Sequence, residues 1–207
     1  MLRVYYCRLN LDDPEPSGMI LSAYRTEKLA AQKAALVRKQ SLYSELLLRF
    51  ALKDSGFAPE ASLEITAGEH GKPRLAGEEV CFNLSHSSEA LLCALSDREI
   101  GADIQKTTRA KDALMKRFFT EDERTFVLSS KEADEAFTEI WTKKESWCKL
   151  SGEGLALPLR SFSVLDDAIA PLLWHRRAGE YHAAVCGQAV LDGIIEWIDL
   201  ETGMLLC

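Results

Sequence analysis

The sequence predicts an α+β protein built of two similar α+β halves. Three observations predict it. Apolar periodicity runs from strand to helix to strands, then to helices and back to strands. The 207 residues suit one large domain or two small ones sharing an interface, and a 47% apolar composition supplies a core. The chain also echoes itself: Lys53-Asp54-Ser55-Gly56 reappears as Lys149-Leu150-Ser151-Gly152, and Glu89–Cys93 loosely as Glu180–Cys186. The halves are expected to meet near Arg98, as residues 1–98 and 99–207. The groove between them is the natural ligand site.

The elements follow in order. Leu2–Leu9 is an apolar opening strand. Residues 12–18 hold Pro14, Pro16 and Gly18 and read as a loop. From Thr26 to Lys53 the spacing of Leu46, Leu47, Phe50 and Ala51 predicts a helix, stopped by Ser55-Gly56. Strands are expected at 63–66, 80–84, 90–96 and 99–105. One or two helices are expected over 106–128 and a longer helix over 132–150, ended by Ser151-Gly152. Further strands are expected at 161–165, 172–175, 181–186 and 194–199.

A net charge of −7 and a pI near 5.2 argue against a general nucleic-acid binder, which needs a broad basic surface. Cys7, Cys81, Cys93, Cys148, Cys186 and Cys207 form no C-x-x-C pair. Most sit in apolar runs, as reduced core residues of a cytoplasmic protein would. The first ten residues lack a signal-peptide apolar region, and no apolar run approaches the ~20 residues that cross a bilayer.

Several segments depart from a plain core-and-surface pattern. In Ile100-Gly101-Ala102-Asp103-Ile104-Gln105, Gly101, Asp103 and Gln105 share one strand face, either solvated or approached closely at the glycine. The helix at 137–150 has an apolar stripe of Phe137, Ile140, Trp141, Trp147 and Cys148 with Lys144 near its middle. A charge there needs a counter-charge, a metal or a ligand. Glu145 and Lys149 flank the stripe and could form an ordinary i,i+4 pair. Thr120-Glu121-Asp122-Glu123 reads as a capping box, and a carboxylate fixed there is also a usable base. Ser85-His86-Ser87 and Gly71-Lys72-Pro73-Arg74 are polar turns that could face an anion. Lys106, Arg109, Lys111, Lys116 and Arg117 make a basic island in an acidic chain.

Taken together, Gly71-Lys72-Pro73, Phe82–Ser87, Ile100–Gln105, Arg117–Glu123, Trp141–Lys149 and the tail Gly152-Glu153-Gly154-Leu155 resemble the 4'-phosphopantetheinyl transferase superfamily, in its longer, surfactin-synthetase-type, pseudo-dimeric branch. The resemblance implies two halves related by a pseudo-twofold axis. It also implies magnesium-dependent transfer of phosphopantetheine from coenzyme A to a serine of an acyl or peptidyl carrier protein, releasing adenosine 3',5'-bisphosphate. It implies Asp103 and Glu145 as metal ligands, with Gln105 or water at a position where many relatives carry an acid. Lys144 and Lys149 would contact phosphate, Lys149 helping the departing group. Lys72, Ser85 and His86 would hold the coenzyme's phosphates, and Glu123 would act as base. Arg38 or Lys39 would stand in for an arginine that relatives direct at the adenine-side phosphate. The expected partners are coenzyme A and an acidic carrier protein docked on the basic island, with no nucleic acid, no membrane and a monomeric state. The alternative is a non-catalytic module that binds coenzyme A or a carrier. A Ser85–His86 hydrolase is disfavoured, because no G-x-S-x-G elbow surrounds Ser85.

Overall fold

The computed structural model describes residues 2–13, 15–16, 19–57, 63–68, 71–77, 80–152, 157–191 and 195–206. Among these, the elements are β1 (Leu2–Arg8), α1 (Ala23–Ala31), α2 (Ala35–Asp54), β2 (Ile65–Ala67), β3 (Pro73–Leu75), β4 (Cys81–Ser87), β5 (Ala90–Ser96), β6 (Ile100–Lys106), α3 (Asp112–Phe118), α4 (Glu121–Ser129), α5 (Ala133–Ser151), β7 (Leu173–Ala178), β8 (Tyr181–Gly187) and β9 (Glu196–Glu201). The α+β class is as expected. Part of the 12–18 loop, the motif residues Glu153-Gly154-Leu155, Ile194 and Cys207 lie outside the described residues.

The sheets run β4-β5-β1-β9 and β6-β8-β7, with β2-β3 a separate hairpin. In the first, β5 pairs antiparallel with both β1 and β4; in the second, β8 pairs antiparallel with both β6 and β7. The connectivity is therefore repeated, with α2 and α5 as the long helices between first and second strands. The echoed segments occupy matching places, at the ends of α2 and α5 and in β5 and β8. The last strand, β9, returns to pair in parallel with β1 of the first sheet.

The two sheets pack face to face through Val4, Leu92 and Ala94 against Ile100, Ala102, Ile104 and Val185. On its other face the first sheet meets α2 through Tyr5, Cys93 and Leu95 against Tyr43, Leu47 and Ala51. The second sheet meets α5, whose far side holds α3 and α4 through Phe119, Val127, Phe137 and Ile140. Strands β5 and β8 are covered on both faces, so every residue in them is buried.

Strand β4 runs beside β6 across the seam between the sheets. There side chains stand in for backbone acceptors. Asn83 Oδ1 accepts from Ala102 N–H (2.9 Å), Ser85 Oγ from Ile104 N–H (3.2 Å) and Ser87 Oγ from Lys106 N–H (3.0 Å). The alternating Asn-x-Ser-x-Ser thus serves as a ladder edge, and it fixes Ser85 beside Asp103.

Three expectations need correction. The helix over 26–53 is two helices. The chain turns at Gln32–Ala34, and Arg38 Nη1 caps α1 by donating to the carbonyl of Leu29 (2.7 Å). The turn at Gly71–Arg74 is entered by Gly71 at φ +79° and continues into β3, which pairs with β2. Residues 161–165 form no strand: Val164 is buried, but Phe162 O and Val164 N–H are met by side chains of α5 and α4, described below.

Candidate active site between the sheet seam and helix α5

Glycine 101 sets the distance between β6 and α5. A Cβ placed there would lie 2.0 Å from the Ser146 carbonyl oxygen and 2.4 Å from Leu150 N. Without a side chain, the strand touches the helix backbone. The next residue on that face is Asp103, 2% exposed, with Ala184 as its cross-strand neighbour. The face is covered by α5, so the solvated alternative does not apply.

Asp103 is the centre of a polar cluster. Its Oδ1 accepts from Ser85 Oγ at 2.7 Å and Lys149 Nζ at 2.6 Å, and its Oδ2 accepts from Gln105 Nε2 at 2.9 Å. Lys149 also donates to Ser85 Oγ at 2.9 Å. Lys149 therefore turns to Asp103, and Glu145 one turn earlier lacks the simple i,i+4 partner. Among the described residues no hydrogen bond reaches the Glu145 carboxylate. Burial, and then the Asp103 charge, hold its carboxyl above the usual carboxylate range, with Lys149 opposing.

The remaining predicted residues distribute around this cluster. Lys149 and Lys72 line a cavity of about 200 Å³ with Gly71, Pro73, Asn83 and Cys148. The Lys72 ammonium donates to Glu99 (2.9 Å) and to the carbonyls of Ile100 (2.9 Å) and Leu150 (3.3 Å), tying β3 to the seam. A phosphate contact by Lys72 would require it to exchange one of these. His86 lies on the opposite side of β4 from Ser85 and is exposed. The protein behind it and the cations Lys149, Arg25 and Lys28 hold its imidazole below the usual value, against Asp103.

Helix α1 brings Arg25 and Lys28 within electrostatic reach of His86; no motif or spacing signalled them, because α1 reaches His86 only through the tertiary fold. Arg25 is buried, donates to Ser41 Oγ at 2.9 Å and faces Glu45 at 3.6 Å. The expected substitutes are engaged elsewhere. Arg38 caps α1, and Lys39 Nζ donates to the carbonyls of Asn10, Leu11 and Asp13.

Two predicted residues are not brought to the cluster. Lys144 is fully buried, donating to Glu123 Oε2 at 2.9 Å and to the carbonyls of Leu159 and Phe162, both at 2.7 Å. Those three acceptors use its three N–H donors, which leaves none for a phosphate. Glu123 is also fully buried; its Oε2 accepts from Thr120 N–H as well, and its Oε1 from Val164 N–H. That enclosure separates it from any incoming hydroxyl, contrary to the expected base role.

The donor set fits magnesium. Among the described residues no group of three or more His, Cys, Asp or Glu side chains forms a ligand cluster. Magnesium, however, is commonly held by one or two carboxylates plus waters and substrate phosphates. Asp103 and Glu145 would offer two hard oxygen ligands, and a dication would offset the charge that raises the Glu145 pKa. Gln105 holds Asp103 through its amide nitrogen, so its carbonyl oxygen is the ligand it could offer.

Comparison with known proteins places these residues in a wider set. A family model described as the 4'-phosphopantetheinyl transferase superfamily matches residues 99–191. The 4'-phosphopantetheinyl transferase Sfp of Bacillus subtilis is 35% identical over 129 residues, 60% of this chain and 57% of that protein. The 4'-phosphopantetheinyl transferase gsp of Aneurinibacillus migulanus is 34% identical over 143 residues, 68% of this chain and 60% of its own. The 4'-phosphopantetheinyl transferase HetI of Nostoc is 30% identical over 166 residues, 74% of this chain and 70% of its own. The matches thus span somewhat under two thirds of the first two relatives' length.

Proposed function

Because the chain belongs to the 4'-phosphopantetheinyl transferase superfamily, we propose that it transfers the 4'-phosphopantetheine of coenzyme A to a serine hydroxyl of a carrier protein. The single observation that carries this reading is the Asp103–Ser85–Lys149 cluster with Glu145 beside it. An oxygen ligand set, an ammonium and a hydroxyl converge where a diphosphate can be gripped.

In the reaction, a bond forms between the carrier's serine oxygen and the phosphorus next to pantetheine. The bond from that phosphorus to the bridging oxygen breaks, adenosine 3',5'-bisphosphate leaves, and the serine proton is released. A divalent cation on Asp103, Glu145 and Gln105 or water would supply charge neutralisation on the diphosphate. Lys149 moves from Asp103 to the phosphate oxygens and stabilises the departing group. Ser85 orients that phosphate by its hydroxyl, and Lys72 closes the far wall of the cavity. Arg25 and Lys28 supply positive potential for the coenzyme's remaining phosphate, and the uncharged His86 imidazole offers it a ring N–H.

Coenzyme A would lie between halves 1–98 and 99–207, related by a pseudo-twofold. The repeated strand connectivity supports that division. The acidic carrier would dock on the basic island, where Arg109, Lys111, Lys116 and Arg117 are exposed. We place the protein in the cytoplasm as a monomer. The free thiols of Cys7, Cys81, Cys93, Cys148 and Cys186 support the compartment, and among the described residues no helix is long and apolar enough to cross a membrane.

The test is to incubate the protein with coenzyme A, magnesium and a panel of apo carrier proteins and to weigh each carrier. A gain of one phosphopantetheine on at least one carrier is expected. Coenzyme A binding without a gain on any carrier would overturn transfer in favour of a binding module.

A further inference from the structure

Residues 159–164 lie against α4 and α5 without a strand partner, and side chains meet several backbone polar groups of this strap. Lys144 Nζ donates to the carbonyls of Leu159 and Phe162 (2.7 Å each), and Glu123 Oε1 accepts from Val164 N–H at 2.8 Å. Ser163 Oγ donates to Asp122 Oδ2 at 2.5 Å. The ring of Phe162 lies 4.2 Å from the Lys144 ammonium and packs against Trp147, centroids 5.7 Å apart. Leu159 and Val164 anchor the two ends in apolar surroundings. A buried ion pair thus does the hydrogen bonding that a neighbouring strand would otherwise do.

Successive residues of a helix point about 100° apart. On α5, Lys144 faces the strap and Glu123, Glu145 faces Asp103, and the Ser146 carbonyl lies against Gly101. The roll of the helix cannot change at one of these contacts without changing at the others. We propose that Glu123 and Lys144 are positioning residues: their ion pair pins the 159–164 strap across α4 and α5 and so fixes the roll of α5 that presents Glu145 and Lys149 to Asp103. The inference rests on the transfer reading only for what Glu145 and Lys149 then do. The pin itself is a property of the fold.

Energetics separate this role from direct chemistry. Removing one member of a fully buried pair strands the other charge, whereas removing both removes the desolvation cost with the attraction. Members of one pair are therefore non-additive in a double-mutant cycle. A base or a phosphate ligand would behave otherwise, since its loss is not repaired by deleting its neighbour.

The experiment compares Glu123→Gln, Lys144→Met and the double variant with the parent. The readouts are amide hydrogen exchange over residues 159–164, thermal unfolding, and transfer of phosphopantetheine to a carrier protein that the parent modifies. Lys144→Met is expected to lower the melting temperature by about 10 °C, to speed exchange at Val164 at least about tenfold, and to lower kcat with KM for the carrier unchanged. The double variant is expected to recover part of each loss. Glu123→Gln, which keeps an acceptor oxygen, is expected to retain the parent's pH–rate profile with kcat within about tenfold. Loss of about a thousandfold in kcat for Glu123→Gln with Val164 exchange unchanged would overturn the proposal, as would a double variant worse than either single one. Hydrogen exchange and melting need no turnover. A parent inactive on every carrier therefore counts against the transfer reading, while the exchange data still decide the pin.

Discussion

Glu145 is an acid that the fold buries and sets within electrostatic reach of Asp103, with Lys149 bound to Asp103 and no hydrogen bond on Glu145 from the described residues. The arrangement costs stability whenever both are ionised. Glu145 has its pKa raised, so the folded state binds its proton more tightly than the unfolded chain does. The cost is absent below the ordinary carboxylate pKa of 4.5 and is present in full once pH exceeds the raised value. Glu145→Gln without metal should therefore raise stability at pH 8 by about 0.5–1 kcal/mol and leave it unchanged near pH 4. Urea unfolding at the two pH values checks this; equal stability at pH 8 would mean that ionised Glu145 carries no burial or repulsion cost. Among single residues, the legible ones were those whose chemistry conflicted with their surroundings. A lysine on an apolar stripe demanded a partner, and an Asp beside a Gly on a strand left its face either solvated or closely approached. The partners were less legible, because Glu123 reaches Lys144 and Lys149 reaches Asp103 only after helix and sheet have packed. Arg25 and Lys28 had no such conflict in their local sequence and gave no signal.

At the scale of elements, the seam between β6 and α5 is the tolerance on which the cluster depends. Gly101 admits the Ser146 carbonyl where any side chain would collide with backbone. Gly101→Ala should destabilise by about 3 kcal/mol through overpacking, more than most single changes, and should cut transfer more than the stability loss explains, because α5 must move away from Asp103. Thermal melts alongside kcat check both; a stable, fully active variant would contradict this seam. The elements best read from sequence were β5 and β8, whose apolar runs are nearly continuous, and α5, whose stripe is long and interrupted at Lys144. The break between α1 and α2 was hidden, since Ala31–Ala35 holds good helix formers and the stop comes from Arg38 folding back on the Leu29 carbonyl. Residues 161–165 carry an apolar alternation that suits a strand, but Phe162 O and Val164 N–H are taken by the side chains of Lys144 and Glu123, which periodicity cannot reveal.

Across the whole molecule, the repeated connectivity was foreshadowed by the two short echoes, at the ends of α2 and α5 and in β5 and β8. The return of β9 to β1 was not, because a parallel pairing between the chain's two ends leaves no local mark. Charge is also distributed at this scale. In an acidic chain, Arg109, Lys111, Lys116 and Arg117 remain exposed around α3, although Lys116 is shared with Asp112 at 2.6 Å. Exposed pairs of that kind are weak, so the surface can exchange them for an acidic partner. Lys111→Glu with Arg117→Glu should raise KM for the carrier about tenfold or more at low salt and leave KM for coenzyme A within about twofold. Equal effects on both would remove the island from carrier docking.

The proposed metal site is two carboxylates, one from β6 and one from α5, that would share a dication. Titration with Mn²⁺ as a spin probe for Mg²⁺ tests that claim most directly. The account predicts one ion per chain, bound more tightly when coenzyme A is present, with Asp103→Asn and Glu145→Gln each weakening it at least about tenfold. Undiminished binding in either variant would contradict it.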